Sequence, residues 1–265
     1  MPPPPELARL FFGPRLPLAE RYAWWLAGAG VERGLIGPRE AERLWPRHLL
    51  NCAAVAALIP RGSQVVDLGS GAGLPGIVLA IARPDLQITL VEPMRRRVAF
   101  LDEVVEDLSL PGVETRRASA DELLSAKLNA DIVTARAVAP VSRLAQLAAP
   151  LLQGHGELLA IKGSAVAEEV SAGWREVQRA GMNRDAALLA IVAAADVPPS
   201  RDAGLVAGDA GLLPGVRIAE LSTWLPDGLL AEGVAAQVLG SSIPTDPLAL
   251  VLRLGQSGHW TSRRH

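Results

Sequence analysis

The stretch Asp67-Leu68-Gly69-Ser70-Gly71-Ala72-Gly73-Leu74-Pro75-Gly76 restricts the fold more than any other part of the chain. Residues 63–68 before it are a short run rich in β-branched side chains, and residues 75–82 after it read as a helix that stops before Pro84. Strand, glycine turn and proline-started helix make a unit whose backbone N–H groups lie open at a helix N-terminus, so an anionic or strongly polar ligand is expected there. The unit repeats downstream. A second strand over 87–91 precedes a helix over 95–108, in which Val98, Leu101, Val105 and Leu108 recur at helical spacing. Residues 113–117, 131–135 and 157–161 are further strands, with helical stretches near 121–128, 141–152 and 165–180. Such alternation predicts an α/β fold with a parallel sheet covered by helices on both faces.

Ahead of this pattern, residues 17–28 and 38–45 read as helices with proline in the first position, and a third covers 48–58, ending before Pro60. The chain therefore divides into an N-terminal helical extension (1–52) and an α/β core (53–183). Residues 184–231 loosen around Pro198-Pro199 and Pro214 and read as an insertion or irregular segment. A closing β-hairpin of the core (232–256) follows, with strands over 234–239 and 248–254, and then a tail (257–265). With 265 residues, 49% of them hydrophobic, one sizeable core can be buried. A single cysteine, Cys52, excludes an internal disulfide, and the start Met1-Pro2-Pro3-Pro4-Pro5 lacks the pattern of a signal peptide. The longest apolar run, 186–195, is about half of the roughly 20 residues that cross a membrane. A cytoplasmic chain without membrane contact is expected.

The formal net charge of −2 is not that of a strongly basic nucleic-acid binder. Positive charge is almost all arginine, Lys127 and Lys162 being the only lysines; this suits bidentate phosphate contacts, and genome composition gives the same bias. Gly71 to Gly76 satisfy the G-x-G-x-x-G pattern of dinucleotide sites, a weak signal by itself. Asp67 weighs against it, because a carboxylate at the strand end repels a pyrophosphate and favours the ammonium and sulfonium of S-adenosylmethionine. Glu92, 25 residues on, ends the second strand where it can accept from both ribose hydroxyls of either ligand, or serve as a solvated helix cap.

Arg136 and Lys162 end the fourth and fifth strands, where ligands bind in open α/β sheets, with a salt bridge as the plain alternative. Arg47 and His48 precede the sheet and are candidates for RNA or lid contact; the other reading is a core histidine and a helix-end cation. Arg95, Arg96 and Arg97 open a helix where cations oppose the dipole, so they read either as contacts to RNA phosphates or as a solvated face. Cys52 reads as a small buried apolar residue, His155 as a turn residue, and Trp24, Trp25 and Trp45 as packing rather than base-stacking platforms.

With these residues in place the chain resembles the RsmG (GidB) family, which methylates N7 of a guanine in small-subunit ribosomal RNA. The resemblance rests on Leu44-Trp45-Pro46-Arg47-His48-Leu49-Leu50-Asn51, the turn from Asp67 to Gly76, Thr134-Ala135-Arg136-Ala137 and Ala160-Ile161-Lys162-Gly163. It covers about residues 17–183 and the closing hairpin more loosely, and 184–231 depart from the family's pattern. It implies a class I (Rossmann-like) methyltransferase with a mostly parallel seven-stranded sheet. The implied cofactor is S-adenosyl-L-methionine, touched at Gly69, Leu74, Ala120, Asp121 and Arg136, beside Asp67, Gly71, Gly73 and Glu92 from the reading above. The implied partner is 16S ribosomal RNA or the small ribosomal subunit, bound by a monomer.

Guanine N7 has an in-plane lone pair and no proton, so positioning by groups such as Arg136 and Lys162 suffices, without a general base or a metal. The Asn/Asp-Pro-Pro-aromatic motif of amino-group methylation is absent from the sequence. Two other classes stay open: a small-molecule methyltransferase whose N-terminal helices and insertion enclose a pocket, and a noncatalytic binding protein such as an NAD sensor. RNA as substrate predicts that Arg47, Arg95 to Arg97 and Lys162 form one basic surface around the mouth of the site.

Overall fold

The computed structural model describes residues 2–119, 122–123, 128–193, 216–223 and 249–256. Three helices, α1 (Glu6–Phe12), α2 (Leu16–Trp25) and the short α3 (Asn51–Ala54), precede the sheet. Around α3, Leu44–Leu50 and Val55–Leu58 continue the helical path with wider and tighter turns, so the expected helix over 48–58 is part of one rod starting at Leu44. β1 (Gln64–Leu68), α4 (Gly76–Ala82), β2 (Gln87–Val91), α5 (Arg95–Asp107), β3 (Val113–Arg116) and β4 (Ala130–Arg136) follow in the anticipated alternation. α6 (Val141–Ala148), β5 (Leu152–Lys162), α7 (Val166–Arg179), β6 (Arg184–Ala193), β7 (Val216–Thr223) and β8 (Ala249–Gly255) complete it.

The strands lie in the order β3-β2-β1-β4-β5-β8-β6-β7. Neighbours from β3 to β5 are parallel, and the pairs β5–β8, β8–β6 and β6–β7 are antiparallel. β7 and β8 alone run against the rest, so the sheet is mostly parallel as expected. The described residues give eight strands, one beyond the seven implied by the family resemblance, because residues 184–231 supply both β6 and β7. The N-terminal part of that stretch is therefore core and not insertion. Ala186, Ala187, Leu188, Leu189 and Ile191 of β6 are all buried, so both strand faces are covered and the sequence shows an unbroken apolar run instead of alternation. β8 matches the strand anticipated over 248–254, whereas the one over 234–239 lies outside the described residues.

Along β1, Val65 faces one apolar cluster and Val66 the other. The first cluster holds Phe11, Tyr22, Trp45 and Leu49 from the N-terminal helices together with Ile77 and Leu79 of α4 and Phe100 and Leu101 of α5. The second holds Leu144 of α6 and Val170 and Trp174 of α7. Helices cover both faces, and the N-terminal extension is built into the first core. Trp25 and Trp45 pack as anticipated, edge-on to Phe100 and Phe12, but Trp24 is 69% exposed. No helix among the described residues is long and apolar enough to cross a membrane.

Candidate active site

The ends of β1, β2, β4 and β5 meet at one edge of the sheet and bring Asp67, Glu92, Arg136 and Lys162 to the glycine turn and its borders. Gly69, Gly71 and Gly73 all have positive φ (65°, 59° and 96°), the left-handed backbone that favours glycine. At Gly69 a Cβ would also come within 2.8 Å of Val138, so the loop after β4 lies directly on the turn. At Gly71 the nearest atom to a Cβ would be the Gly69 carbonyl oxygen at 3.8 Å, which leaves the outer side of the turn open.

Five amides of the turn are already engaged within the chain, which leaves less room for an anion than the glycine pattern suggests. Ser70 N–H donates to the Val91 carbonyl, and Gly73 and Leu74 N–H both donate to the Ser70 carbonyl. Gly71 N–H donates to Glu92 Oε2 at 3.1 Å, and Gly76 N–H to Asp67 Oδ2 at 3.1 Å. The turn closes on the chain's own acceptors, two of them carboxylates.

Asp67 lies beneath the turn, fully buried. The β1–β4 register puts Thr134 beside it, and the Thr134 hydroxyl donates to Oδ1 at 2.9 Å. Burial raises its carboxyl from 3.8 to about 6, against the hydrogen bonds from Thr134, Ser70 and Gly76. Asp67 thus ties β1, β4 and the start of α4 together. Leu74 is half-buried and packs against the first core.

Arg136 turns toward the N-terminal rod. Its guanidinium donates to the Arg47 carbonyl at 3.0 Å, to His48 Nδ1 at 2.7 Å and to Cys52 Sγ at 3.1 Å. A guanidinium only donates, so His48 Nδ1 accepts, and Nε2–H donates to Glu40 Oε2 at 2.8 Å. Burial and the Arg136 charge lower the His48 pKa and favour this neutral tautomer. Burial pushes the Cys52 thiol up to about 11, in keeping with an inert packed residue.

Lys162, 11% exposed, donates to the Ala139 carbonyl at 3.0 Å and to Glu169 Oε1 at 2.7 Å, and so fastens the loop after β4 to α7. Arg97 reaches back to within 3.6 Å of Glu92 Oε2. The single basic surface expected of Arg47, Arg95 to Arg97 and Lys162 therefore does not form, because Lys162 is enclosed against Glu169 and the half-buried Arg97 leans on Glu92. Arg47 is outward but paired with Glu40 at 3.2 Å, and Arg95 and Arg96 are exposed. Ala120 and Asp121 lie outside the described residues.

Sequence reasoning missed four residues. Tyr22 of α2 is fully buried and donates its hydroxyl to the Ala72 carbonyl in the turn at 2.7 Å. Thr134 stands out in the sequence only as part of a four-residue motif, and its place opposite Asp67 follows once β1 and β4 are neighbours. Arg116 and Arg117 are exposed at the end of β3, where Arg116 is registered with Val91 of β2, close to the start of α5.

The GidB family, rRNA small subunit methyltransferase G, matches residues 15–190. Ribosomal RNA small subunit methyltransferase G of Arthrobacter sp. (strain FB24) is 56% identical over 176 residues, covering 66% of this chain and 81% of that protein. The protein of the same name from Thermobifida fusca (strain YX) is 57% identical over 176 residues, covering 66% and 74%. That from Salinispora tropica is 56% identical over 191 residues, covering 69% and 79%.

Proposed function

Because this chain belongs to the GidB family of ribosomal RNA small subunit methyltransferases, and is itself an rRNA methyltransferase, we propose that it methylates N7 of one guanine in 16S ribosomal RNA with S-adenosylmethionine as donor. The observation that supports the choice of cofactor is that five amides of the turn are already taken by the chain's own acceptors. A pyrophosphate needs free N–H groups at such a turn, and here Ser70, Gly71, Gly73, Leu74 and Gly76 donate to the chain's own oxygens, two of them carboxylate. A neutral nucleoside and a cationic sulfonium suit that edge better than an anion.

The residues fit such a group. The outer side of Gly71 is clear, Glu92 ends β2 with a buried carboxylate, and Arg97 Nε is buried without a hydrogen-bond partner among the described residues. When bound, S-adenosylmethionine supplies a methyl group activated by the adjoining sulfonium. Glu92 would hold the ribose, the glycine turn would lie along the donor, and Gly69 and Val138 would border it. Ala120 and Asp121 are proposed to complete the adenine side.

Attack by guanine N7 needs no proton removed, and the nearby titratable groups support chemistry by positioning. Asp67 is buried and doubly bonded, both His48 nitrogens are engaged, and the Cys52 thiol stays protonated. Holding nucleophile and methyl group in line and excluding water can contribute on the order of 7–11 kcal/mol at most. RNA contact falls to the exposed Arg47, Arg95 and Arg96, with Arg116 and Arg117 extending the same edge. The enzyme acts as a monomer in the cytoplasm on rRNA or the small subunit. The test is incubation with methyl-labelled donor and either 16S rRNA or small subunits, followed by mapping. A single labelled guanine, methylated at N7, is expected; label on another base or atom overturns the reading.

A further inference from the structure

Glu92 and Arg97 form a pair at the rim of the turn that packing of α5 does not require. Glu92 is buried, its side chain only 2% exposed, and each oxygen accepts one backbone N–H: Gly71 to Oε2 at 3.1 Å and Met94 to Oε1 at 3.0 Å. A carboxylate has about four lone-pair sites, so two remain for a ligand. Arg97 lies in the first turn of α5, where the helix dipole disfavours a cation, and its Nη1 stands 3.6 Å from Oε2. Its Nε is buried and has no acceptor among the described residues. Its neighbours Arg95 and Arg96 are exposed.

We infer that Arg97 is a positioning residue for the nucleoside half of the donor: it neutralises and orients Glu92 and keeps Nε for an acceptor on the bound nucleoside. This rests on the reading that S-adenosylmethionine binds at the turn, and it separates Arg97 from the RNA-facing arginines beside it. The Glu92–Arg97 pair presents no net charge to a nucleoside that has none, and Arg97 fixes the side of the carboxylate left free by the Gly71 and Met94 amides. The inference predicts a loss common to every ligand carrying the adenosine group, whatever its charge at sulfur.

The experiment is calorimetric titration of the full chain with S-adenosylmethionine and with its demethylated product, S-adenosylhomocysteine, alongside 16S rRNA binding at fixed salt. Arg97→Ala should weaken both small ligands by the same factor, roughly tenfold or more, as expected when a charged group's hydrogen bond is removed. RNA affinity should be unchanged, and Arg97→Lys should recover part of the loss. If Arg97→Ala does not fold, Arg97→Lys decides alone, with both ligands weakened equally as the expected result. Wild-type affinity for both ligands in the soluble variant, or weaker RNA binding with unchanged ligand affinity, overturns the inference. Failure of the wild-type chain to bind S-adenosylmethionine removes the reading of the site itself, and the inference with it.

Discussion

Asp67 shows how one buried acid can hold the frame of a site together. Its oxygens hold Thr134 of β4 and the Gly76 amide, and a Cβ at residue 76 would approach Oδ2 to 2.8 Å, so glycine there is needed to let the carboxylate in. Charge at the strand end was legible in the sequence, but the direction in which it points was not. The cost of burying it has a pH signature. The carboxyl rises from 3.8 to about 6 on folding, so the folded chain holds the proton more tightly than the unfolded chain between those values. Its contribution to stability is greatest below about pH 4 and is lost as pH rises through about 6, by at most about 3 kcal/mol. In Asp67→Asn the amide oxygen keeps Gly76 and the amide N–H donates to a reoriented Thr134 hydroxyl. The variant should fold, and denaturant titrations from pH 4 to 7 should show the wild type losing this increment relative to it. Parallel curves would place the Asp67 carboxyl at an ordinary pKa.

The rod from Leu44 to Leu58 reaches the sheet through Arg136 at the end of β4. That residue is expected in its family to meet the cofactor, and here three of its five N–H donors go to the Arg47 carbonyl, His48 and Cys52. Arg136→Ala should therefore loosen Leu44–Leu50 before it loosens the sheet. Amide exchange in that segment should quicken by roughly thirtyfold, matching about 2 kcal/mol for a charged group's hydrogen bonds, while β1 and β4 amides stay protected. Uniform exchange across the chain would mean that Arg136 supports only global stability. The strands from β1 to β4, and the helices between β1 and β3, were readable from period and punctuation. β6 was not, because burial on both faces removes the alternation that marks a strand. The start of β5 was hidden too, since Pro150, Gly154 and Gly156 break the pattern while the strand bulges between Ala130 and Ile132 of its neighbour. Lys162 and Arg97 were found as residues but their partners, Glu169 and Glu92, were not, because a strand end or a helix start fixes where a long side chain begins and not which partner it reaches.

Across the whole molecule a net charge of −2 leaves RNA affinity to local placement, and exposed arginines border the mouth: Arg95 and Arg96 at the start of α5, Arg116 and Arg117 at the end of β3. Phosphate contacts displace counterions, so replacing these four together should lower the slope of log affinity against log salt by about 0.7 to 0.9 for each phosphate no longer neutralised. Donor affinity should not change, because Glu92 and Arg97 remain. An unaltered slope would make this edge a solvated face and leave Arg47 as the outward candidate. The hydroxyl that α2 extends to the Ala72 carbonyl brings a property of another kind. Tyr22 is the chain's only tyrosine, and burial holds its phenol far above the usual pKa, so it stays protonated through the working range. Isotope labelling of tyrosine would therefore place a single NMR resonance at the joint between the N-terminal helices and the glycine turn. The sequence has in effect installed its own spectroscopic reporter there, one able to register a ligand's arrival at the turn without any added dye.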